Sequence, residues 1–182
     1  MGAGILPICI FNSKVLFLFG KDRLTHTWSD FGGRAENGES EFDTAIREGA
    51  EELNGFLGNG LKLANLVKSN NLLTINYDKY KIFVFLINFD KNLPHYFNNN
   101  NNFMLEKLSL SNNNSFIVST KSFKEYPSNH TGLFEKSEIK WFTYQDLKTQ
   151  RDKFRLFYRP IVDIIINEYD SLLVKTKQLK YK

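Results

Sequence analysis

The sequence predicts an α/β fold, an α/β/α sandwich built on a mixed central sheet. Three observations lead there. The chain carries two hairpin-like pairs of β-rich runs, an amphipathic helix between them, and a strand followed by helix-period sequence at its end. At 182 residues it reads as a single domain over 1–182, long enough to bury about 70% of its unfolded surface.

The first hairpin pairs Ile5 to Phe11 with Val15 to Phe19 across Asn12, Ser13 and Lys14, residues that suit a tight turn. Trp28 to Phe31 is a short strand leading into Gly32-Gly33. From Glu39 to Leu53, Phe42, Ala45, Ile46, Gly49, Ala50 and Leu53 recur at the three-and-four spacing of one buried helix stripe. Leu72 to Tyr77 and Lys81 to Phe89 form a second hairpin around Asp78-Lys79, the latter strand apolar enough to be central. Polyasparagine from Asn98 to Asn102 predicts a mobile low-complexity loop. Glu138 to Phe142 reads as a strand, Tyr144 to Thr149 as a short helix, and Phe157 to Tyr169 as a longer one with Pro160 in its first turn.

Composition narrows the function classes. No apolar run approaches the roughly 18 residues of a membrane span, and the first residues lack the cationic start and cleavage site of a secretory signal. The expectation is a soluble, cytoplasmic protein. Cys9, the single cysteine, lies in an apolar run and reads as a core thiol. The net charge of +4 favours polyanionic partners modestly, and much of it falls in a basic tail at about 174–182, read as a solvated end. The Asn-x-Ser/Thr matches at Asn113 and Asn129 are expected by chance in so asparagine-rich a chain, and His26, His95 and His130 show no metal-ligand spacing.

The chemistry concentrates between Gly33 and Glu52. At 100° per residue Glu48, Glu51 and Glu52 share one arc of about 100° on the helix. Glu51 and Glu52 lie in its last turn, where the helix dipole is negative and a cation is expected, yet Gly55 and Phe56 one turn on supply none. The sequence therefore predicts three uncompensated acids at the wrong end of a helix, a conflict that a bound metal would remove. Carboxylates without partner histidines or cysteines form a hard-oxygen site, which selects Mg²⁺ or Mn²⁺ over zinc and points to phosphoryl chemistry.

The spacing Gly33, five residues, Glu39, seven residues, Arg47-Glu48, two residues, Glu51-Glu52 resembles the Nudix box of Nudix hydrolases. Three positions depart from it: Gly49 replaces an aliphatic residue in the buried stripe, Asn54 replaces the closing glycine, and Gly55 stands where an aliphatic residue is usual. A glycine inside the helix requires a bulky neighbour or a close helix-to-sheet approach to fill the space. Asn54 and Gly55 both tolerate the left-handed backbone that ends a helix.

The resemblance implies a Nudix-type sandwich and hydrolysis of a nucleoside diphosphate-linked compound. It implies metal ligands among Glu48, Glu51, Glu52 and the Gly33 carbonyl, with Glu48 or a loop acid as general base. Arg47 would hold the acids, with Glu39 as its partner or that of a metal-bound water. In many members a further glutamate precedes the last sheet strand; Glu135 is the lead candidate here and Glu138 the second. Arg23, Arg34 and Trp28 are the substrate-binding candidates, and Phe31, Tyr77 and Tyr80 offer further rings for stacking a base. A free nucleotide or dinucleoside polyphosphate leads as substrate, followed by capped RNA and an inositol pyrophosphate. A Nudix-fold binding protein without turnover is the alternative from another class, and a homodimer is compatible with either.

Overall fold

In the computed structural model, which describes residues 1–111 and 134–179, seven strands form one mixed sheet. β1 (Gly2–Phe11) lies at its centre and pairs with β2 (Lys14–Asp22) along one half, with β4 (Phe31–Arg34) along the other, and in parallel with β6 (Tyr80–Leu86). β5 (Asn71–Tyr77) extends the sheet beyond β6, while β3 (Trp28–Ser29) and β7 (Lys136–Phe142) both pair with β2. Both predicted hairpins form. Asn12, Ser13 and Asp78 adopt positive φ, as tight reversals between right-twisted strands require.

Side-chain alternation divides the core into two layers. Ala3 and Ile5 of β1, Leu18 of β2 and Phe85 of β6 face α1 (Glu41–Glu52), α2 (Gly60–Asn70) and α3 (Leu93–Ser111). Leu6 and Ile8, Phe17 and Phe19, and Ile82 and Val84 face α4 (Tyr144–Thr149), α5 (Arg159–Asn167) and α6 (Tyr169–Leu179). Cys9 is fully buried, in line with its apolar surroundings in the sequence. Among the described residues no helix is long and apolar enough to cross a membrane.

α1 starts where Ser40 caps it, its side chain accepting from the Asp43 N–H. It stops in a paired motif: the Asn54 N–H donates to the Glu51 carbonyl and the Gly55 N–H to the Ala50 carbonyl, with Asn54 at φ 49° and Gly55 at 72°. This is a Schellman ending in which asparagine takes the left-handed position usually held by glycine. At Gly49 the helix lies so close to β1 that an added Cβ would overlap Ile5 Cδ1 and stand 2.7 Å from its Cγ1. The missing side chain is thus replaced by close helix-to-sheet approach.

Three predicted features are corrected. The polyasparagine run is not a loop but the middle of α3, and two of its residues bind the sheet. Asn98 brackets Ile139 on β7, accepting from its N–H at 2.9 Å and donating to its carbonyl at 3.5 Å, while Asn101 is fully buried and donates to the Lys136 carbonyl at 2.6 Å. Amide side chains on one helix face thereby satisfy backbone groups of β7 that no strand takes up. The single C-terminal helix is instead a 3₁₀ turn (Leu156–Tyr158), α5 and α6. The basic tail is ordered further than expected, since α6 runs to Leu179 with Leu172 and Thr176 buried. α2 occupies a stretch that carries no predicted element, although Asn59 caps it and Leu63 and Val67 bury one face. Asn113, Asn129, His130, the loop start at Gly132-Leu133, and Lys180 and Lys182 lie outside the described residues.

Candidate functional site

The site gathers at the last turns of α1, over β4 and the start of β7. Arg47 organises its outer half. Its Nε and Nη2 donate to the two oxygens of Glu39 at 2.7 and 3.0 Å, and Nη2 also donates to the Arg34 carbonyl at 3.1 Å. Its Nη1 donates to Glu48 Oε1 at 3.0 Å and lies 3.6 Å from Glu51 Oε2. The bond from Arg47 holds the Glu39 carboxyl down at about pH 2, and these acids push the guanidinium pKa further up. Glu48 moves the other way: burial raises its pKa against the pull of Arg47, and the charges of Glu51 and Glu135 raise it further. Gly33 is where this carboxylate meets the strand, since a Cβ there would overlap Glu48 Oε1.

The inner half is built on a residue outside the sequence-level candidates. Lys136 is fully buried, with its Nζ 3.2 Å from Glu52 Oε1 and donating to Ser29 Oγ at 2.9 Å. The other oxygen of Glu52 accepts from the Gly32 N–H at 2.8 Å. Glu52 is only 3% exposed, and burial, with the charges of Glu135 and Asp30 adding and Lys136 opposing, lifts its pKa to about 8. On the opposite face of β4, Asp30 is buried and accepts from the Tyr80 hydroxyl at 3.1 Å. Burial raises its pKa to about 7 against the charge of Lys136. Gly4 and Gly32 leave room for this pair, because a Cβ on either would overlap the Tyr80 hydroxyl or nearly so.

The expectation of uncompensated acids is therefore corrected. Arg47 stands between Glu39, Glu48 and Glu51, and Lys136 arrives from β7 against Glu52. Arg47 is visible in the helix itself. Lys136 is not, because a lysine at the start of a strand gives no local sign of what it will face.

Glu135 precedes β7, is exposed, and lies close enough to Glu48 and Glu52 for its charge to raise both pKa values. Its position is held by Phe134, which has the positive φ of 66° that bulky residues rarely adopt. The Phe134 N–H donates to Asn54 Oδ1 at 3.3 Å, and Asn54 Nδ2 donates to Asn101 at 2.6 Å. Glu138 points elsewhere, 3.7 Å from Lys21 Nζ.

Of the substrate-binding candidates, Arg34 is exposed beside the acids and contributes its carbonyl to Arg47. Arg23 donates from Nε to the Phe134 carbonyl at 2.9 Å and from its backbone to the Glu135 carbonyl, so it holds the loop. Trp28 is 6% exposed, packed edge-on against Phe142 with centroids 4.9 Å apart, and belongs to the core. Phe31 is likewise buried and the Tyr80 hydroxyl is engaged by Asp30, which leaves Tyr77 as the exposed ring of that set.

Among the described residues no group of three or more acid, histidine or cysteine side chains is placed to hold a metal ion. Glu48 and Glu51 nevertheless converge on one nitrogen of Arg47, so two carboxylates already share one cation, and the charge of Glu135 reaches the same place. Carboxylate oxygens of this kind are the donor chemistry that Mg²⁺ or Mn²⁺ takes. Glu52 is engaged on both oxygens, by Lys136 and by the Gly32 N–H.

No family profile matches the chain, and no curated protein does. Solved structures do. A bifunctional NMN adenylyltransferase/ADP ribose pyrophosphatase from Francisella tularensis, complexed with AMP and a manganese ion, is 16% identical at a TM-score of 0.50, covering 91% of this chain and 41% of that one. A C. elegans Ap4A hydrolase in a binary complex is 17% identical at a TM-score of 0.43, covering 99% and 96%. A Nudix hydrolase from Listeria monocytogenes is 14% identical at 0.46, covering 94% of both chains. What the chain shares with the Francisella structure is the fold, here a mixed sheet held between two helical layers.

Proposed function

We propose that the protein hydrolyses a diphosphate bond in a nucleoside diphosphate-linked compound, with Mg²⁺ or Mn²⁺ as cofactor and a free nucleotide or dinucleoside polyphosphate as the leading substrate. The observation that carries this reading is the convergence of Glu48 and Glu51 on Arg47, beside Gly33 and within reach of the charge of Glu135. Glu48 and Glu51 would hold the ion, which when bound supplies charge stabilisation to the phosphate oxygens and acidifies the attacking water. Arg47 keeps Glu48 and Glu51 oriented, and Gly33 lets the Glu48 carboxylate lie against the strand without a side chain in the way. Glu135, or Glu48 if the loop stays away, accepts the proton of the attacking water.

Assay of a panel of nucleoside diphosphate derivatives, dinucleoside polyphosphates, capped RNA and inositol pyrophosphates with Mg²⁺ or Mn²⁺ tests this reading. Turnover should appear on at least one nucleotide, vanish in excess EDTA, and fall about a hundredfold or more in kcat in Glu48→Gln. Undiminished activity in EDTA or in that variant would falsify it. The second reading, nucleotide binding without turnover, is favoured by the closed state of Glu52. Calorimetry that detects a nucleotide binding with Mg²⁺, while no phosphate is released, would select it.

A further inference from the structure

We propose that Asn54 is a positioning residue: together with Asn101 it forms a two-amide bridge from the Phe134 N–H to the Lys136 carbonyl, and the bridge holds Glu135, the residue between them, beside Glu48 and Glu52. The role given to Glu135 rests on the hydrolysis reading above.

The bridge is one continuous chain of hydrogen bonds. The Phe134 N–H donates to Asn54 Oδ1 at 3.3 Å, Asn54 Nδ2 donates to Asn101 Oδ1 at 2.6 Å, and Asn101 Nδ2 donates to the Lys136 carbonyl at 2.6 Å. A backbone donor at one end and a backbone acceptor at the other fix the orientation of both amides, so each asparagine uses its oxygen and its nitrogen on different partners. Asn101 is fully buried, which anchors the bridge in α3. From the other side Arg23 completes the clamp, its Nε donating to the Phe134 carbonyl and its backbone N–H to the Glu135 carbonyl, both at 2.9 Å. Four backbone groups around Glu135 are held in this way, two of them by the bridge. The φ of 66° at Phe134 is costly for an aromatic residue, and such backbone persists only where its surroundings over-determine it. Glu135 itself is exposed, so these bonds act on the main chain that presents its carboxylate.

Asn54 is therefore more than a helix ending. Glycine at this position would adopt the same left-handed φ and end α1 equally well, but it has no amide to reach Phe134 and Asn101.

Asn54→Gly separates the two roles, because it keeps the helix ending and removes only the bridge. Amide hydrogen exchange of the full chain, followed by NMR, should show the Phe134 N–H exchanging about fivefold or more faster than in wild type, with the Gly55 N–H, bonded to the Ala50 carbonyl, unchanged. On a nucleotide that is turned over, kcat should fall about tenfold with KM little changed. The same substitution made in Glu135→Gln should cost less than about twofold, since it acts through a carboxylate already removed. Unchanged exchange at Phe134 would overturn the bridge. Wild-type kcat in Asn54→Gly, or losses that simply multiply in the double variant, would overturn the positioning role and leave the hydrolysis reading intact. Faster Phe134 exchange in the variant of a protein that turns over no nucleotide would sink the hydrolysis reading and leave the bridge standing.

Discussion

At the scale of single residues, Glu135 and Glu138 show how two acids three positions apart acquire different surroundings. Glu138 sits within β7 with its carboxylate toward Lys21, whereas Glu135 precedes the strand and its charge reaches Glu48 and Glu52. A base delivered by a loop contributes to kcat more than to metal affinity. Glu135→Gln should lower kcat tenfold or more with Mg²⁺ affinity little changed, and Glu138→Gln should do much less. Ser137→Ala, which removes only the hydroxyl bonded to the Lys21 carbonyl, controls for loop shape. Steady-state kinetics beside Mg²⁺ titration reads all three, and a Ser137→Ala loss as large as that of Glu135→Gln would mean that loop geometry rather than proton transfer was being measured.

At the scale of elements, the position of α1 over β1 decides where its acids lie. Gly49 permits that approach, and Ile5 fills the space. Gly49→Ala gains roughly 1 kcal/mol in helix propensity but forces a methyl into Ile5, and overpacking a tight core costs about 1–3 kcal/mol. Net destabilisation of about 1 kcal/mol is the expected result in denaturant melts. Ile5→Val, which removes Cδ1, should relieve part of it, so the double variant should be more stable than the sum of the single losses predicts. Additive losses would show that the helix shifts as a body instead. α3 acts in the same way on β7: Asn98 and Asn101 fix the strand that carries Lys136, and Asn54 links it to the end of α1.

At the scale of the whole molecule, the two buried acids set the response to pH. Burial raises the Asp30 pKa to about 7 and shifts Glu52 in the same direction, whereas in the unfolded chain both ionise in the usual carboxylate range near 4. Between those limits the native state binds more protons than the unfolded state, so stability falls as pH rises. Glu39 works in the opposite sense at the acid end, its contribution being lost as pH drops from about 4.5 toward 2. In metal-free protein the melting temperature should therefore decline from about pH 5 to about pH 7. Asp30→Asn, with nothing to ionise beside Tyr80, should flatten the part of that decline below about pH 7. A profile identical to wild type, measured by thermal melts in EDTA, would show that Asp30 is ionised in the native state.

What the sequence determined by itself is what short-range physics enforces. The hairpin turns at Asn12-Ser13 and Asp78, the stripe and cap of α1, its asparagine-glycine ending, and the clustering of Glu48, Glu51 and Glu52 on one arc all depend on neighbours within a turn or two. Arg47 reaches Glu39, Glu48 and Glu51 from within the same stretch, so that half of the site is legible as well. Tertiary structure alone decided the rest. Composition reads Asn98 to Asn102 as a polar tract with no core to join, and only the docking of a helix face against the open edge of β7 turns its amides into backbone partners. Lys136 has no neighbour in sequence that calls for a cation; it becomes one half of the site because the pairing of β7 with β2 carries its stem over Gly20 to Glu52, where low-dielectric burial makes an unpaired charge costly on either side.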